Sequence, residues 1–455
     1  MRRVTRRTFL KGASALGGLG PLVFSGRSLG QGTGRKLRHA CIGTGGMGES
    51  DLGSLSSHSD VEFVAFCDVD AKKLAKAAEL HPHARTYSDW RVLLDKEKDR
   101  IDSVNVSTPD HTHASVTMTA LRLGKHVYCQ KPLCHDIAEC RAVIREAARR
   151  PQQVTQMGIQ IHSHPFYRTA VAMIQYGMIG KIREVHSWCG KGWVGPPETR
   201  PAHSDPVPET LDWDLWLGTA PERPYVNKIY QPGNWRRWLD FGTGTQGDMA
   251  AHIMDPVFTA LALTSPLDIL SESSPPFKET YSPRNRITYR FPGTRFTTDE
   301  TILYHWYDSS LTPDFSPWPL PVNPATGETK PPMQGSMFIG EKGHLLLPHI
   351  GGPQPLPRTR FIEDIRHFKK EVVLPTIDNH YGQFVKAALG HGTTTAPFSY
   401  GGLLSESVLM GAIANRFPRQ RLIWDAQAGQ FTNVPEANAF LRRTYRAGWE
   451  VDGLS

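Results

Sequence analysis

Short apolar runs alternate with amphipathic stretches across residues 38–153. Val61–Cys67 and Ser103–Val106 are runs of strand length, as are 127–129 and 38–45, the last passing into a glycine turn. Between them, Ala71–Leu80 sets Leu74, Ala78 and Leu80 on one helical face. Residues 114–123, ended by Gly124, and Ile137–Ala148 also read as helices. Strands separated by helices of about 10 residues predict a parallel α/β sheet. The second half has another texture. Ile182–Cys189 and residues 287–291, 297–304 and 337–339 alternate as strands of a half-exposed antiparallel sheet do. A helix at 166–176, ended by Gly177, precedes them, and 380–415 is helical again. Residues 192–247 and 309–335 are rich in Pro and Trp or Gly, and read as long ordered loops over a site.

A chain of 455 residues predicts two or three domains. It has no apolar run of about 18 residues, so no membrane span is expected. The formal net charge is +8, but six of those charges (Arg2, Arg3, Arg6, Arg7, Lys11 and Arg27) precede residue 35, where no acid occurs. The rest of the chain is nearly neutral, so a nucleic-acid partner is not expected. Lys369-Lys370 and Arg442-Arg443 read as solvated pairs.

Arg6-Arg7-Thr8-Phe9-Leu10-Lys11 is a twin-arginine pattern, followed by a modestly apolar stretch at 12–24 and a loose cleavage signal at Ser28-Leu29-Gly30. Residues 1–34 are therefore expected to be a twin-arginine signal peptide. It would be read by the twin-arginine translocation machinery and direct the chain to the periplasm or beyond. Of the six cysteines, Cys41 and Cys67 lie in apolar strand patterns, and such export moves chains folded in a reducing compartment, so disulfides are not expected. Cys129, Cys134, His135 and Cys140 fit no zinc spacing, and no metal site is expected.

Gly43-Thr44-Gly45-Gly46-Met47-Gly48 stands between a strand and a helix, with Asp68 at the end of the next strand. The glycines permit a tight turn and close approach to a pyrophosphate, and the helix N-terminus supplies N–H donors. Asp68 would accept from ribose hydroxyls and repel a 2′-phosphate, which favours NAD over NADP. Asp70 is the weaker alternative, and Asp51 reads as solvated. Ser107-Thr108-Pro109-Asp110-His111-Thr112-His113 follows the third of these strands and would border the same crevice. Asp110 or Thr112 suits a helix cap, and His113 is a candidate beside the nicotinamide.

The glycine turn, the Thr-Pro segment and Gln130-Lys131-Pro132 fall in the order and spacing of the glucose–fructose oxidoreductase / inositol dehydrogenase (Gfo/Idh/MocA) family, which the chain resembles from about residue 37 to 420. Gly335-Ser336-Met337-Phe338-Ile339-Gly340-Glu341-Lys342-Gly343 matches the family's late strand and turn, and residues from 424 onward match a subgroup only. The family hallmark is Glu-Lys-Pro, so Gln130 stands where a glutamate is usual, which leaves open what balances the lysine's charge. The resemblance implies that Lys131 lies beside the nicotinamide. It also implies that His252 takes the proton of a substrate hydroxyl and that Asp248 orients substrate or lysine. Asp248 and His252 are four apart, which on a helix is one face.

The expected fold is an α/β one: a parallel Rossmann sheet at 35–153, then an α/β domain with a large open, mostly antiparallel sheet at 154–423 that often makes the oligomer interface in the family, and an extension at 424–455. The expected activity is NAD-dependent oxidation of a secondary hydroxyl of a sugar, polyol or glycoside, with the cofactor held tightly. Two alternatives are glycoside hydrolysis through transient oxidation, elimination and re-reduction, and non-catalytic sugar or NAD binding. Trp235, Arg236, Trp238, Tyr304, His305 and Trp306 could line a carbohydrate site, although such aromatics are more often packing.

Overall fold

The computed structural model describes residues 34–193, 195–322, 327 and 329–454. The twin-arginine pattern and its cleavage signal lie outside the described residues. β1 (Leu37–Ile42), β2 (Val61–Cys67), β3 (Arg85–Tyr87), β4 (Ser103–Val106), β5 (His126–Gln130) and β6 (Thr155–Gly158) form one sheet in the order β3-β2-β1-β4-β5-β6. Every pair in it is parallel. The central strands are apolar because helices cover both faces: Val104, Val106 and Val127 are fully buried. Such burial contributes about 1.5–3 kcal/mol per large apolar side chain. The sixth strand carries the sheet past residue 153.

The helices of this unit are α1 (Met47–Ser56), α2 (Ala71–Leu80), α3 (Trp90–Glu97), α4 (Asp110–Arg122) and α5 (Ile137–Ala148). Asp70 caps α2 by accepting from the Lys72 N–H, and Asp136 and Glu139 form a reciprocal capping box at the start of α5. α4 starts at Asp110, four residues before its apolar pattern begins, because its polar first turn is buried rather than solvated.

The second sheet has nine strands: β7 (Ile182–Cys189), β8 (Asp268–Ser271), β9 (Arg286–Pro292), β10 (Thr301–Asp308), β11 (Gln334–Gly340), β12 (His344–Pro348), β13 (Gln354–Leu356), β14 (Arg421–Asp425) and β15 (Gln430–Phe431). Their order is β13-β12-β11-β7-β10-β9-β8-β14-β15, with only β7 and β10 parallel. The strand expected at 297–304 begins at Thr301, because the Thr297 hydroxyl closes a turn before it, accepting from the Thr294 N–H and donating to the Thr294 carbonyl. α6 (Pro165–Tyr176) ends at Gly177 in the left-handed conformation (φ 81°). α8 (Ala251–Leu261) lies against it, after the short α7 (Trp213–Leu217).

The helical stretch expected at 380–415 is two helices. α10 (His380–Ala388) and α11 (Phe398–Ala414) are separated by Gly390, Gly392 and Pro397; α9 (Ile362–Glu371) precedes them. α10 returns to the first sheet, where Tyr381, Phe384 and Val385 pack with Leu37, Leu55 and Tyr128. The segment after residue 424 returns as well. Arg443 does not belong to a solvated pair: its guanidinium donates to Glu139, the His111 carbonyl and the Thr219 hydroxyl. Tyr445 donates to the same Glu139, which is fully buried. All six cysteines are buried and free.

Candidate functional site

A cavity of about 850 Å³ runs from the glycine turn to the inner face of the second domain. Gly43, Gly45, Gly46 and Met47 line one end with Asp68; Thr44 is buried, and neither it nor Gly48 lines the cavity. Gly43 has φ 87°, and a Cβ there would meet the Ser107 carbonyl at 2.6 Å. At Gly48 a Cβ would stand 2.1 Å from the Gly43 carbonyl. Only glycine fits either position, which is the cradle a bound pyrophosphate requires. Asp68 accepts from the backbone N–H of Thr44 (2.8 Å), Gly45 (3.2 Å) and Asp70 (2.9 Å). Its carboxylate is thereby fixed at the mouth of the turn, where a ribose would lie. Asp70, the alternative acid, is engaged in capping α2.

Asp51 is not solvated; it is fully buried on α1. It accepts from the Ser107 hydroxyl (2.6 Å), the Tyr381 hydroxyl (2.7 Å) and, through both oxygens, the Gln130 amide (2.9 and 2.8 Å). Burial raises its pKa and these donors oppose the rise. Gln130 is thus the partner of a buried carboxylate. A glutamate there would offer only acceptors to another acceptor.

Neither Asp110 nor Thr112 caps α4. Asp110, buried with its pKa raised by desolvation, accepts from the Thr243 hydroxyl at 2.7 Å, and Thr112 donates to the Pro109 carbonyl. His113 lines the cavity, but its two ring nitrogens lie 2.9 Å from the carbonyls of Pro132 and Thr108. Two acceptors call for a doubly protonated ring. Burial opposes that charge, yet neighbouring Cys129 and Asp110 outweigh it and raise the pKa to about 9. His113 therefore ties the Thr-Pro loop, with Ser107, Thr108 and Pro109 on the cavity wall, to the Lys131-Pro132 turn.

Lys131 reaches across from the end of β5. Its ammonium donates to the Asp248 carboxylate (2.5 Å) and to the Asp248 carbonyl (2.7 Å). Asp248 therefore balances the lysine's charge in place of the usual glutamate. Asp248 stands in a π-helical turn, Gln246–Ala250, directly before α8, which carries His252. The other carboxylate oxygen accepts from Lys191 (3.0 Å) and the Trp193 indole (2.6 Å), and Arg236 lies 3.4 Å from the first. Burial opposes ionisation of Asp248, but the charges of Lys131, Arg236 and Lys191 hold its pKa well below the usual carboxylate range. His252 faces the same cavity, and its Nδ1 is buried without a hydrogen-bond partner among the described residues. Burial, then the charges of Lys131 and His349, push its pKa well below 6.5.

Lys191 and Trp193, two apart in the loop after β7, and His349 after β12 carry no motif in the sequence that marks them as site residues. Of the aromatic group, Trp235 and Arg236 line the cavity, and the guanidinium sits 4.3 Å from the Trp235 ring centroid and 5.1 Å from that of Trp193. Trp238, Tyr304 and Trp306 are core residues, and His305 lies on the far face of the second sheet.

Two family models match the chain: "Oxidoreductase family, NAD-binding Rossmann fold" over residues 37–158 and "Oxidoreductase family, C-terminal alpha/beta domain" over residues 175–298. Together they cover more than half of it. An inositol 2-dehydrogenase of Salmonella paratyphi B is 27% identical over 52% of this chain, a match spanning 66% of that enzyme, just short of two thirds. The fold is similar to that of the WlbA dehydrogenase of Chromobacterium violaceum, solved with NADH and UDP-GlcNAcA (TM-score 0.59, 17% identity, 86% of this chain and 97% of that one). It is also similar to that of the myo-inositol dehydrogenase of Lactobacillus casei, solved with NAD(H) and myo-inositol (TM-score 0.53, 16% identity, 89% and 99%).

Proposed function

The chain belongs to the Gfo/Idh/MocA oxidoreductase family, and on that premise we propose that it oxidises a secondary hydroxyl of a sugar, polyol or glycoside with tightly bound NAD. One observation carries this reading. A single cavity has the glycine cradle and Asp68 at one end and Lys131, Asp248 and His252 at the other. Backbone N–H groups of the turn would hold the pyrophosphate, and Asp68 the ribose. When bound, the nicotinamide supplies the acceptor for the hydrogen and electron pair leaving carbon.

The protein's own part is to place the alcohol and take its proton. Two of the three Lys131 donors are spent on Asp248, which leaves one for the substrate oxygen. His252 is kept neutral by its surroundings and is the base that accepts the O–H proton. Asp248 holds Lys131 in place. Trp235, Trp193 and Arg236 offer aromatic faces and donors suited to a carbohydrate. Lys131→Ala should lower turnover by roughly 10²–10⁴-fold while leaving bound dinucleotide in place. Assays with a polyol and sugar panel, run beside mass measurement of the retained cofactor, test this. Loss of the dinucleotide with unchanged turnover per bound cofactor would count against the role given to Lys131.

A further inference from the structure

The outer face of the second sheet, remote from the NAD cavity, holds a cluster that the proposed oxidation does not use. Glu184 and His186 lie two apart on β7, so they share that face, and His305 is the direct partner of His186 on neighbouring β10. The two imidazoles stack with centroids 4.5 Å apart. Nε2 of His186 lies 3.5 Å from one Glu184 oxygen, and Nε2 of His305 lies 3.8 Å from the other. One ligand atom from each residue falls within 4.8 Å of the other two.

These separations are too long for direct hydrogen bonds, which run about 2.7–3.2 Å. They are close to the spacing of about 3.4 Å between two ligands held some 2.0–2.1 Å from a tetrahedral ion. The remaining ring nitrogens are already engaged. Nδ1 of His305 is 2.9 Å from the Thr288 hydroxyl, and Nδ1 of His186 is 3.3 Å from the Tyr307 hydroxyl. A hydroxyl partner at Nδ1 fixes ring orientation and leaves Nε2 free to ligate. Two ring nitrogens thus flank one carboxylate at 3.5 and 3.8 Å, and a cation held among the three would draw the stacked rings out of parallel to bring both nitrogens onto it. The cluster is half-buried, and Glu184 and His186 line another cavity of about 720 Å³, with space for a further ligand. Arg286 also lines that cavity, but its guanidinium is held 3.2 Å from Glu272.

We propose that Glu184, His186 and His305 form a zinc site with two imidazole ligands and one carboxylate, its remaining position open to water. Imidazole and carboxylate ligands in this number suit Zn²⁺ and disfavour Mg²⁺ and Ca²⁺, which take oxygen ligands. The site is independent of the NAD cavity.

The test uses the untagged full chain, incubated with ZnCl₂ and then gel-filtered, with metal counted by inductively coupled plasma mass spectrometry. The wild type should retain about one equivalent. The double variant His186→Ala/His305→Ala should retain less than about a tenth of that, with an unchanged circular dichroism spectrum. Should the double variant not fold, Glu184→Gln is expected to weaken retention at least about tenfold on its own. Co²⁺ in place of Zn²⁺ should give visible absorption of a low-coordinate site in the wild type alone. No zinc on the wild type, or equal zinc on folded variants, would overturn the proposal.

Discussion

At the scale of single residues, the Lys-Pro motif led to Lys131, and the family resemblance to Asp248 and His252. What neither could supply was the partnering. Gln130 looks in the sequence like the loss of a carboxylate. In the fold, Lys131 is balanced by Asp248 from the other domain, while Gln130 serves Asp51 from α1. A lone aspartate on a helix carries no sign of burial, so Asp51 reads as solvated until the chain is folded. Gln130→Glu would set a second acid against it, and two buried like charges cannot both ionise. The variant should lose about 2–4 kcal/mol of stability at neutral pH, read by denaturant unfolding, and Asp51→Asn in the same chain should restore most of it. A stable Gln130→Glu single variant would contradict the arrangement. His252 gives a second test. In the proposed reaction it is the base and must be neutral; its pKa is depressed, so protonation should remove activity only as pH falls below the ordinary value of 6.5. kcat/KM should therefore be level from pH 8 down past 6.5 before it declines. An acid limb centred at or above 6.5 would remove the case for a buried, cation-flanked base.

At the scale of elements, long periodic segments were legible and short polar ones were not. β2, β4 and β7 stand where their patterns place them, and α2 spans the expected residues, but Leu80, expected on its apolar face, is exposed and Ala77 is its buried residue. β3 has three residues and two of them are exposed, and β6 begins Thr-Gln, so neither carries an apolar signal of its own. Both belong to the sheet because neighbouring strands offer them hydrogen bonds. The polar first turn of α4 escaped notice for the opposite reason: it is buried against partners distant in sequence, including the C-terminal segment. Arg443 reaches the His111 carbonyl there, and with Tyr445 it holds buried Glu139. Arg443→Ala would leave that carboxylate without its cation, which costs about 3–5 kcal/mol when a buried pair loses one member. Thermal unfolding should show a correspondingly large fall. A change within about 0.5 kcal/mol, the usual range for a surface substitution, would mean that the segment is not an anchor.

At the scale of the whole molecule, the proposed function rests on a cavity that neither sheet forms alone. The glycine turn, the Thr-Pro loop and Lys131 come from the first sheet; Asp248 and His252 come from the helix packed on the second. The long loops at 192–247 supply Trp193, Trp235 and Arg236, and their path could not be read from a pattern without regular period. Lys131 and Asp248 close the seam with a contact of 2.5 Å, and α10 and the C-terminal segment fasten the domains elsewhere. The proposed oxidation requires a substrate carbon and the bound cofactor to exchange hydrogen within this seam. Its most direct test is to supply polyols and sugars deuterated at the ring carbons and to follow deuterium in the protein's own dinucleotide by mass spectrometry. Deuterium is expected in the nicotinamide of the wild type, with little or none in Lys131→Ala, whether the reaction ends in oxidation or returns the hydrogen to product. A wild-type protein that holds its dinucleotide and stays unlabelled with every substrate of a broad panel would contradict it.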